Sequence, residues 1–173
     1  MDFPVKPENE NHWSRVCYEY NRSSMAEVII IIRLMKWADV PKILEIERIS
    51  FSTPWSETAF LKEIYNPYSI NRIAVLEDKL AGYICVNYLL EEAHILNLAV
   101  HPDLRRMGIA TALVKKVLDE LKERSCKSLF LEVRVSNDAA MLFYERFGFR
   151  PVGFRKDYYT YPREDAVLMV LDM

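Results

Sequence analysis

Glycine is scarce in this chain of 173 residues: Gly82, Gly108, Gly148 and Gly153 are the only four. No Gly-x-Gly-x-x-Gly and no Walker-type loop can be written anywhere, which excludes dinucleotide and P-loop chemistry of the usual kind. Cysteine is equally sparse. Cys17, Cys85 and Cys126 are odd in number and far apart, matching neither a disulfide framework nor a metal-ligand spacing, so a reducing cytoplasm is the expected compartment. His12, His94 and His101 are not grouped with cysteines or carboxylates, and no metal site is expected. The one long apolar run, Val28 to Ile32, falls far short of the roughly 20 residues of a membrane-spanning helix. With an N-terminus that is polar rather than signal-like, a soluble, unexported protein with no membrane partner is expected. Excess charge of one sign is absent too. Lys plus Arg is 23 and Asp plus Glu is 25, for a formal charge of −2, which gives the whole chain no bulk reason to cling to DNA or an anionic bilayer.

What is present suffices for one ordinary domain with a sizeable core, 51% hydrophobic and 28% charged. Residues 1–25 mix prolines, asparagines and serines without a clear period and read as an N-terminal extension, for which flexibility is one option; residues 26–173 read as the domain. Within the extension, Trp13, Val16, Tyr18 and Tyr20 are the few apolar anchors. Glu27 to Met35 is β-branched and continuous, as a buried strand is. Asp39 then offers an N-cap for a helix carrying Val40, Ile43, Leu44 and Ile46, and Ser56 for a second carrying Phe60, Leu61 and Ile64. Ile70 to Leu76 and Leu80 to Leu90 read as a hairpin turning at Glu77-Asp78-Lys79, and Ala93 to Val100 as a further strand.

From Gly108 to about Arg124, apolar residues recur at spacings of three and four, predicting an amphipathic helix. Leu129, Leu131, Val133 and Val135 alternate with Phe130, Glu132 and Arg134, a strand with one wholly apolar face and Glu132 on the other. Asn137 caps a helix that stops at Gly148, and Phe149 to Tyr161 and Ala166 to Leu171 supply two last strands. The expected fold is mixed α/β (α+β): a central mixed sheet of about seven strands flanked by about four helices.

The stretch from Val100 to Thr111 is a strand, a basic loop and a helix start. The first turn of a helix presents unpaired N–H groups and the positive end of its dipole, so it holds a phosphate where small residues allow close approach. Gly108 and Ala110 are small, and Arg105 and Arg106 add positive charge. Asp103 to Lys127 carries seven basic side chains against four acidic ones. Taken alone, the same loop is equally a plain strand-to-helix connection with a solvated arginine pair.

Arg105-x-x-Gly108-x-Ala110 resembles the pyrophosphate loop of the GCN5-related N-acetyltransferase (GNAT) superfamily, and the resemblance covers roughly residues 27–173. More narrowly, Phe51-x-x-Pro54-Trp55-Ser56-Glu57, Leu98-Ala99-Val100-x-Pro102, Leu131-Glu132-Val133-Arg134-x-Ser136-Asn137-x-Ala139-Ala140, Phe143-Tyr144-Glu145-x-x-Gly148-Phe149, Tyr158-Tyr159 and Glu164-Asp165-Ala166 together resemble the ribosomal-protein-alanine N-acetyltransferases of the RimI type. The resemblance implies transfer of an acetyl group from acetyl-coenzyme A (acetyl-CoA) to the α-amine of a protein N-terminus. The family's physiological acceptor is the N-terminal alanine of a small-subunit ribosomal protein. The resemblance further implies a cofactor wedged where two parallel strands splay apart and direct attack by the amine in a ternary complex.

Carried over residue by residue, the resemblance implies Glu132 as proton acceptor, directly or through water, and Tyr144 as donor to the departing thiolate. It implies acetyl-CoA contacts from the backbone of Leu98, Ala99 and Val100, from the loop Arg105, Arg106, Met107, Gly108, Ile109, Ala110 and Thr111, and from Asn137. It puts Trp55, Ser56, His94, Tyr158 and Tyr159 along the peptide groove. Simple alternation sets His94 on one strand face with Leu96 and Leu98.

Each residue also has a structural reading. Glu132 suits an ion pair with Arg134 or Arg106, Tyr144 a core aromatic beside Phe143 and Phe147, Asn137 a helix cap, and His94 an accommodated strand histidine. Cys126, outside every motif, is not expected to carry an acyl group. The alternatives to N-terminal acetylation are an acetyltransferase of a small amine or lysine and a silent acetyl-CoA-binding module. Direct nucleic-acid binding through the Arg105 to Lys127 patch is disfavoured by the acidic balance elsewhere. The sequence leaves the oligomeric state open.

Overall fold

Period-two and period-3.6 patterns convert into elements largely where the sequence puts them. The structure, a computed structural model, describes residues 14–17 and 29–173. In chain order these form β1 (Ser14–Cys17), β2 (Ile29–Leu34), α1 (Val40–Ser50), α2 (Glu57–Tyr65), β3 (Ser69–Leu76), β4 (Lys79–Leu89), β5 (Glu92–Val100), α3 (Ile109–Glu123), β6 (Ser128–Arg134), α4 (Asp138–Glu145), β7 (Arg150–Thr160) and β8 (Arg163–Asp172), with 3-10 turns at Trp37–Asp39 and Pro102–Leu104. All eight strands share one sheet in the order β1-β2-β3-β4-β5-β6-β8-β7. Among the described residues β5 and β6 are the only parallel neighbours.

The seven strands and four helices expected of the domain are there, and β1 adds an eighth strand at the sheet edge. β1 pairs antiparallel with β2, Ser14 opposite Ile32 and Cys17 opposite Ile29. The rest of the extension, including His12, Trp13, Tyr18 and Tyr20, lies outside the described residues, as does Glu27 at the expected start of β2.

β4 explains the layering. Ala81 to Val86 are all buried, so this strand has no solvent face and needs cover on both sides. One core unites the sheet with Leu113, Val117 and Leu121 of α3 and Tyr144 of α4. The other unites Tyr83 and Cys85 of β4 with Val40, Ile43 and Ile46 of α1 and Phe60 of α2. The sheet is thus the middle of three layers.

Two helix starts behave as expected: Ser56 Oγ accepts from the Ala59 N–H at 3.2 Å and Asn137 Oδ1 from the Ala140 N–H at 3.1 Å. Asp39 does not. It stands at the cap position of α1, but its carboxylate takes both Arg33 guanidinium nitrogens, at 2.6 and 2.7 Å, and the Lys36 N–H at 2.8 Å. A charge-assisted bidentate partner outcompetes a helix amide.

A second departure matters more. Val86 pairs with Ile95 and Cys85 with Asn97, so Leu96 is an extra residue on β5, a bulge. One inserted residue reverses the alternation beyond it. Leu96 packs on the α1/α2 side, whereas Leu98 packs on the α3 side with Val100. The expected common face of His94, Leu96 and Leu98 is therefore broken between Leu96 and Leu98. Asn97, not Leu98, is directed toward α1.

Close backbone approach at the far end of this strand pair requires glycine. Gly82 lies opposite Val100, and a Cβ there would stand 2.7 Å from the Ala99 carbonyl oxygen and 3.1 Å from Val100 Cγ2. The carbonyl is backbone in a central strand and has no rotamer by which to move away. Gly82→Ala should lower unfolding free energy by about 1–3 kcal/mol, the scale of overpacking. Urea denaturation measures it, and an unchanged midpoint would show that the β4–β5 approach is looser than described.

Candidate active site

The bulge at Leu96 coincides with the end of strand pairing. β5 and β6 are in register from Glu92 opposite Ser128 to Ile95 opposite Leu131, and pairing stops there. β5 continues to Val100 and β6 to Arg134, so two parallel strands diverge. Backbone groups on their facing edges lose sheet partners at that point. A cleft of about 600 Å³ opens there, lined by Leu98, Glu132, Asn137, Tyr144, Trp55, Tyr158 and Tyr159 among others.

Glu132 sits on the floor, on the β6 face opposite Leu131 and Val133. Its Oε2 is 2.5 Å from His94 Nε2 and its Oε1 is 3.0 Å from Arg155 Nε. Burial alone raises this carboxyl's pKa. The hydrogen bond and charge of His94 together with the charge of Arg155 outweigh it, holding Glu132 below the usual carboxylate range. The expected ion partners, Arg134 and Arg106, are replaced by His94 and Arg155. Arg134 stands at the end of β6, against the β7–β8 turn, and pairs with Glu164 on β8 at 3.0 Å.

Tyr144 projects from α4 into the same cleft. It is buried, edge-on to Phe143 at 5.1 Å and to Phe149 at 5.4 Å. Burial, with a smaller contribution from Tyr159, pushes its phenol pKa well up, so the hydroxyl keeps its proton at neutral pH. Tyr158 and Tyr159 pack edge to face at 5.1 Å. Burial and the neighbouring Tyr158 push the Tyr159 phenol to about 12, and Arg134 stacks over its ring at 4.0 Å.

The basic loop lies beyond the end of β5. Arg106 and Gly108 both adopt left-handed backbone, at φ of 66° and 79°. Gly108 is the N-cap of α3, and a Cβ there would meet nothing within 4 Å. The helix's own bonding begins with the Ala112 N–H donating to the Gly108 carbonyl at 2.9 Å. The amides of Ile109, Ala110 and Thr111 consequently have no intrahelical acceptor. Arg105 folds back, its Nε donating to the Val100 carbonyl at 3.2 Å, and ties the loop to β5. Ala99, Val100 and Ile109 are buried; Met107 and Ala110 are partly buried against the α3-side core that holds Val100 and Ile109. Ser56 caps α2 and lies outside the lining of the cleft, next to Trp55, which lines it.

Among the lining residues not anticipated as site residues are Glu47, Asn97, Ser52 and Arg134. Glu47 is 1% exposed. Its carboxylate accepts the Trp55 N–H at 2.7 Å, Asn97 Nδ2 at 3.2 and 3.3 Å, and the Tyr83 hydroxyl. It thus fastens the α1–α2 connection to β4 and β5 under the cleft. The signal was in the sequence: Glu47 follows Ile43 by four residues, on the apolar stripe of α1, where a carboxylate is out of place unless it has partners.

Away from the cleft, Cys126, in the connection from α3 to β6, is buried, and desolvation raises its thiol pKa, the opposite of what an acyl carrier needs. Among the described residues no group of three or more His, Cys, Asp or Glu side chains is gathered for a metal, and no helix is long and apolar enough to cross a membrane.

Diverging parallel strands, a helix start after β5 whose first amides lack intrahelical acceptors, and a carboxylate and a phenol lining one cleft make up the candidate site. The acetyltransferase (GNAT) family model matches residues 40–149. The chain belongs to that family and is an N-acetyltransferase. It is 37% identical over 139 residues to the putative ribosomal protein bS18-alanine N-acetyltransferase of Bacillus subtilis strain 168, covering 80% of this chain and 92% of that protein. It is likewise 37% identical over 142 residues to the ribosomal protein bS18-alanine N-acetyltransferase of Escherichia coli K12, covering 81% and 95%. The crystal structure of the ribosomal-protein-S18-alanine N-acetyltransferase from Escherichia coli superposes with a TM-score of 0.77 at 36% identity, over 83% of this chain and 93% of that one. Ard1 from Thermoplasma volcanium gives 0.79 at 27% identity, over 83% and 97%.

Removing the Glu47 carboxylate strands buried donors on three elements. Glu47→Ala should cost about 2–4 kcal/mol of stability, the scale of two or three buried donors losing their acceptor. Thermal unfolding reads this as a fall in Tm, and a loss below about 0.5 kcal/mol, that of an ordinary surface change, would show that the carboxylate does not anchor the cleft.

Proposed function

We propose that this enzyme transfers the acetyl group of acetyl-CoA to the α-amine of a protein N-terminus, the physiological acceptor being the N-terminal alanine of the ribosomal protein bS18 class on which its relatives act. The observation that carries this reading is the meeting of an ionised Glu132, paired to His94, and a protonated Tyr144 in one cleft at the point where β5 and β6 part. Such an acceptor puts the reaction in the cytoplasm. The catalytic unit is read as residues 26–173, with residues 1–25 an extension.

Acetyl-CoA enters as substrate. Its pyrophosphate suits the amides of Ile109, Ala110 and Thr111 at the N-terminus of α3, and Gly108 leaves the approach open. The unpaired β5 backbone at Leu98 to Val100 suits the pantetheine arm and offers an amide to polarise the thioester carbonyl. Asn137 caps α4 and faces the cleft at once.

An α-amine has a pKa of about 7.7–8.0, so it is mostly protonated at neutral pH yet needs only a modest base. Glu132 is such a base. Because it is held low it stays ionised and able to accept the proton, directly or through water, while His94 holds its Oε2. The freed amine attacks the thioester carbon and the carbon–sulfur bond breaks; Tyr144 hands its proton to the thiolate, and the second proton, which the nitrogen loses on becoming an amide, restores the phenol. Tyr158, Tyr159 and Trp55 wall the peptide's approach. A lysine ε-amine, with a pKa of about 10.4, is a poor match for so weak a base. A silent acetyl-CoA-binding module would have no use for the acid–base pair.

Two experiments test this. Gly108→Glu places bulk and negative charge where the pyrophosphate enters. Calorimetry should show acetyl-CoA binding abolished in a folded variant, and unchanged affinity would remove the site. For the chemistry, turnover of a peptide beginning with alanine is followed against pH. The lowered Glu132 pKa means that the acid limb of wild type reports the amine and not Glu132. Glu132→Gln should depress turnover most at low pH and Tyr144→Phe across the whole range, each by about 10²- to 10⁴-fold. Near-wild-type turnover in both variants would show these roles to be wrong.

A further inference from the structure

Glu132 and Arg134 are two residues apart on the same face of β6, yet only Glu132 is accounted for by the chemistry above. Arg134 is largely buried, its side chain 21% exposed, and it reaches both walls of the cleft. Nη1 donates to the Pro162 carbonyl at 3.1 Å and to Glu164 Oε2 at 3.0 Å. Nη2 donates to the Tyr161 carbonyl at 3.0 Å and to Ser52 Oγ at 3.3 Å. The guanidinium plane lies 4.0 Å over the ring of Tyr159, whose hydroxyl is directed at the Glu132 carbonyl, 3.4 Å away. Ser52, on the α1–α2 connection, completes the crossing by donating to the same Tyr161 carbonyl at 2.6 Å. Glu164 is held in turn by the Ser136 N–H at 2.7 Å.

One planar cation thus links four segments: the end of β6, the α1–α2 connection, the β7–β8 turn and the start of β8. The two that it joins across the cleft, Ser52 and Tyr161–Pro162, belong to opposite walls and are 109 residues apart in sequence. The fixed fork of arginine supplies these directions at once, which the point charge of lysine does not.

We propose that Arg134 is a positioning residue for the acceptor peptide: it sets the spacing of the two groove walls and holds Tyr159 against the floor beside Glu132. This rests on the reading of the cleft as a peptide groove. Arg134 touches the walls and not the reacting atoms, so its loss weakens capture of the peptide and leaves the chemical step and acetyl-CoA largely alone. A merely structural role predicts the reverse, fewer active molecules with a lower apparent kcat and an unchanged KM.

The test is steady-state kinetics with an eight-residue peptide beginning with alanine, for wild type, Arg134→Ala, Arg134→Lys and Ser52→Ala. In Arg134→Ala the peptide KM should rise about tenfold, the equivalent of losing one or two hydrogen bonds to a charged group. The KM for acetyl-CoA should stay close to wild type, and kcat should change far less than the peptide KM. Arg134→Lys should recover only part of the rise. Ser52→Ala, a change at an exposed loop that carries the comparison even if Arg134→Ala does not fold, should show the same pattern with a smaller rise. An unchanged peptide KM in Arg134→Lys and Ser52→Ala, full recovery by lysine, or a fall in kcat alone would overturn the proposal while the acetyltransferase reading stands. Failure of wild type to acetylate any α-amine would remove that reading and this proposal together.

Discussion

The parting of β5 from β6 is the constraint on which the rest of the molecule depends. Two parallel strands share four paired positions, from Glu92/Ser128 to Ile95/Leu131, and then separate. The bulge at Leu96 adds local twist to β5 and reverses its alternation at that point. As a result Asn97 turns toward Glu47, the backbone of Leu98 to Val100 is released from pairing with β6, and the Glu132 face of β6 opens onto a cleft. A continuous parallel pair would fill that space with a hydrogen-bond ladder and leave no room for a thioester between the strands.

Electrostatics then divides the labour. Glu132 and Tyr144 line one cleft, and burial raises the pKa of both in principle. Only Glu132 has cationic company, His94 and Arg155, and its pKa falls; Tyr144 lacks such company and its pKa rises. Their values are pushed apart, which leaves an ionised carboxylate and a protonated phenol at the same pH, as the proposed acceptor and donor require. Arg155 is half exposed, whereas the Glu132 carboxylate that it pairs with is buried. Glu47, by contrast, meets only neutral donors and works as an anchor.

Most of the fold was legible because its signals are local. The β6 alternation, the stripe along α3, the caps Ser56 and Asn137 and the stop at Gly148 each depend on neighbours within a few residues. Asp39 was misread as a cap because its arginine partner comes from β2, through a turn that composition does not announce. The Leu96 bulge was invisible for a different reason: the segment from Ala93 to Val100 is mostly buried on both faces, so apolar residues fill either side whether or not one residue is inserted. Glu132, Tyr144 and Asn137, which line the cleft, and the Gly108 loop before α3 were singled out through the resemblance of their motifs to the family's. Glu47 was signalled only as a carboxylate out of place on an apolar stripe, and Ser52 not at all. They act through partners 50 and 109 residues away, Asn97 and Tyr161, and only the folded chain brings those together.

Amide hydrogen exchange with a bisubstrate conjugate, coenzyme A joined to the α-amine of a peptide beginning with alanine, tests the central claim most directly. If both substrates meet where β5 and β6 part, the conjugate slows exchange at Leu98 to Val100 and at Ile109 to Thr111, and also along the groove wall at Tyr158 and Tyr159. Coenzyme A alone protects only the first two stretches. Protection elsewhere with these amides unchanged would contradict the account, because the acyl group would then be delivered to some place other than the gap between the strands.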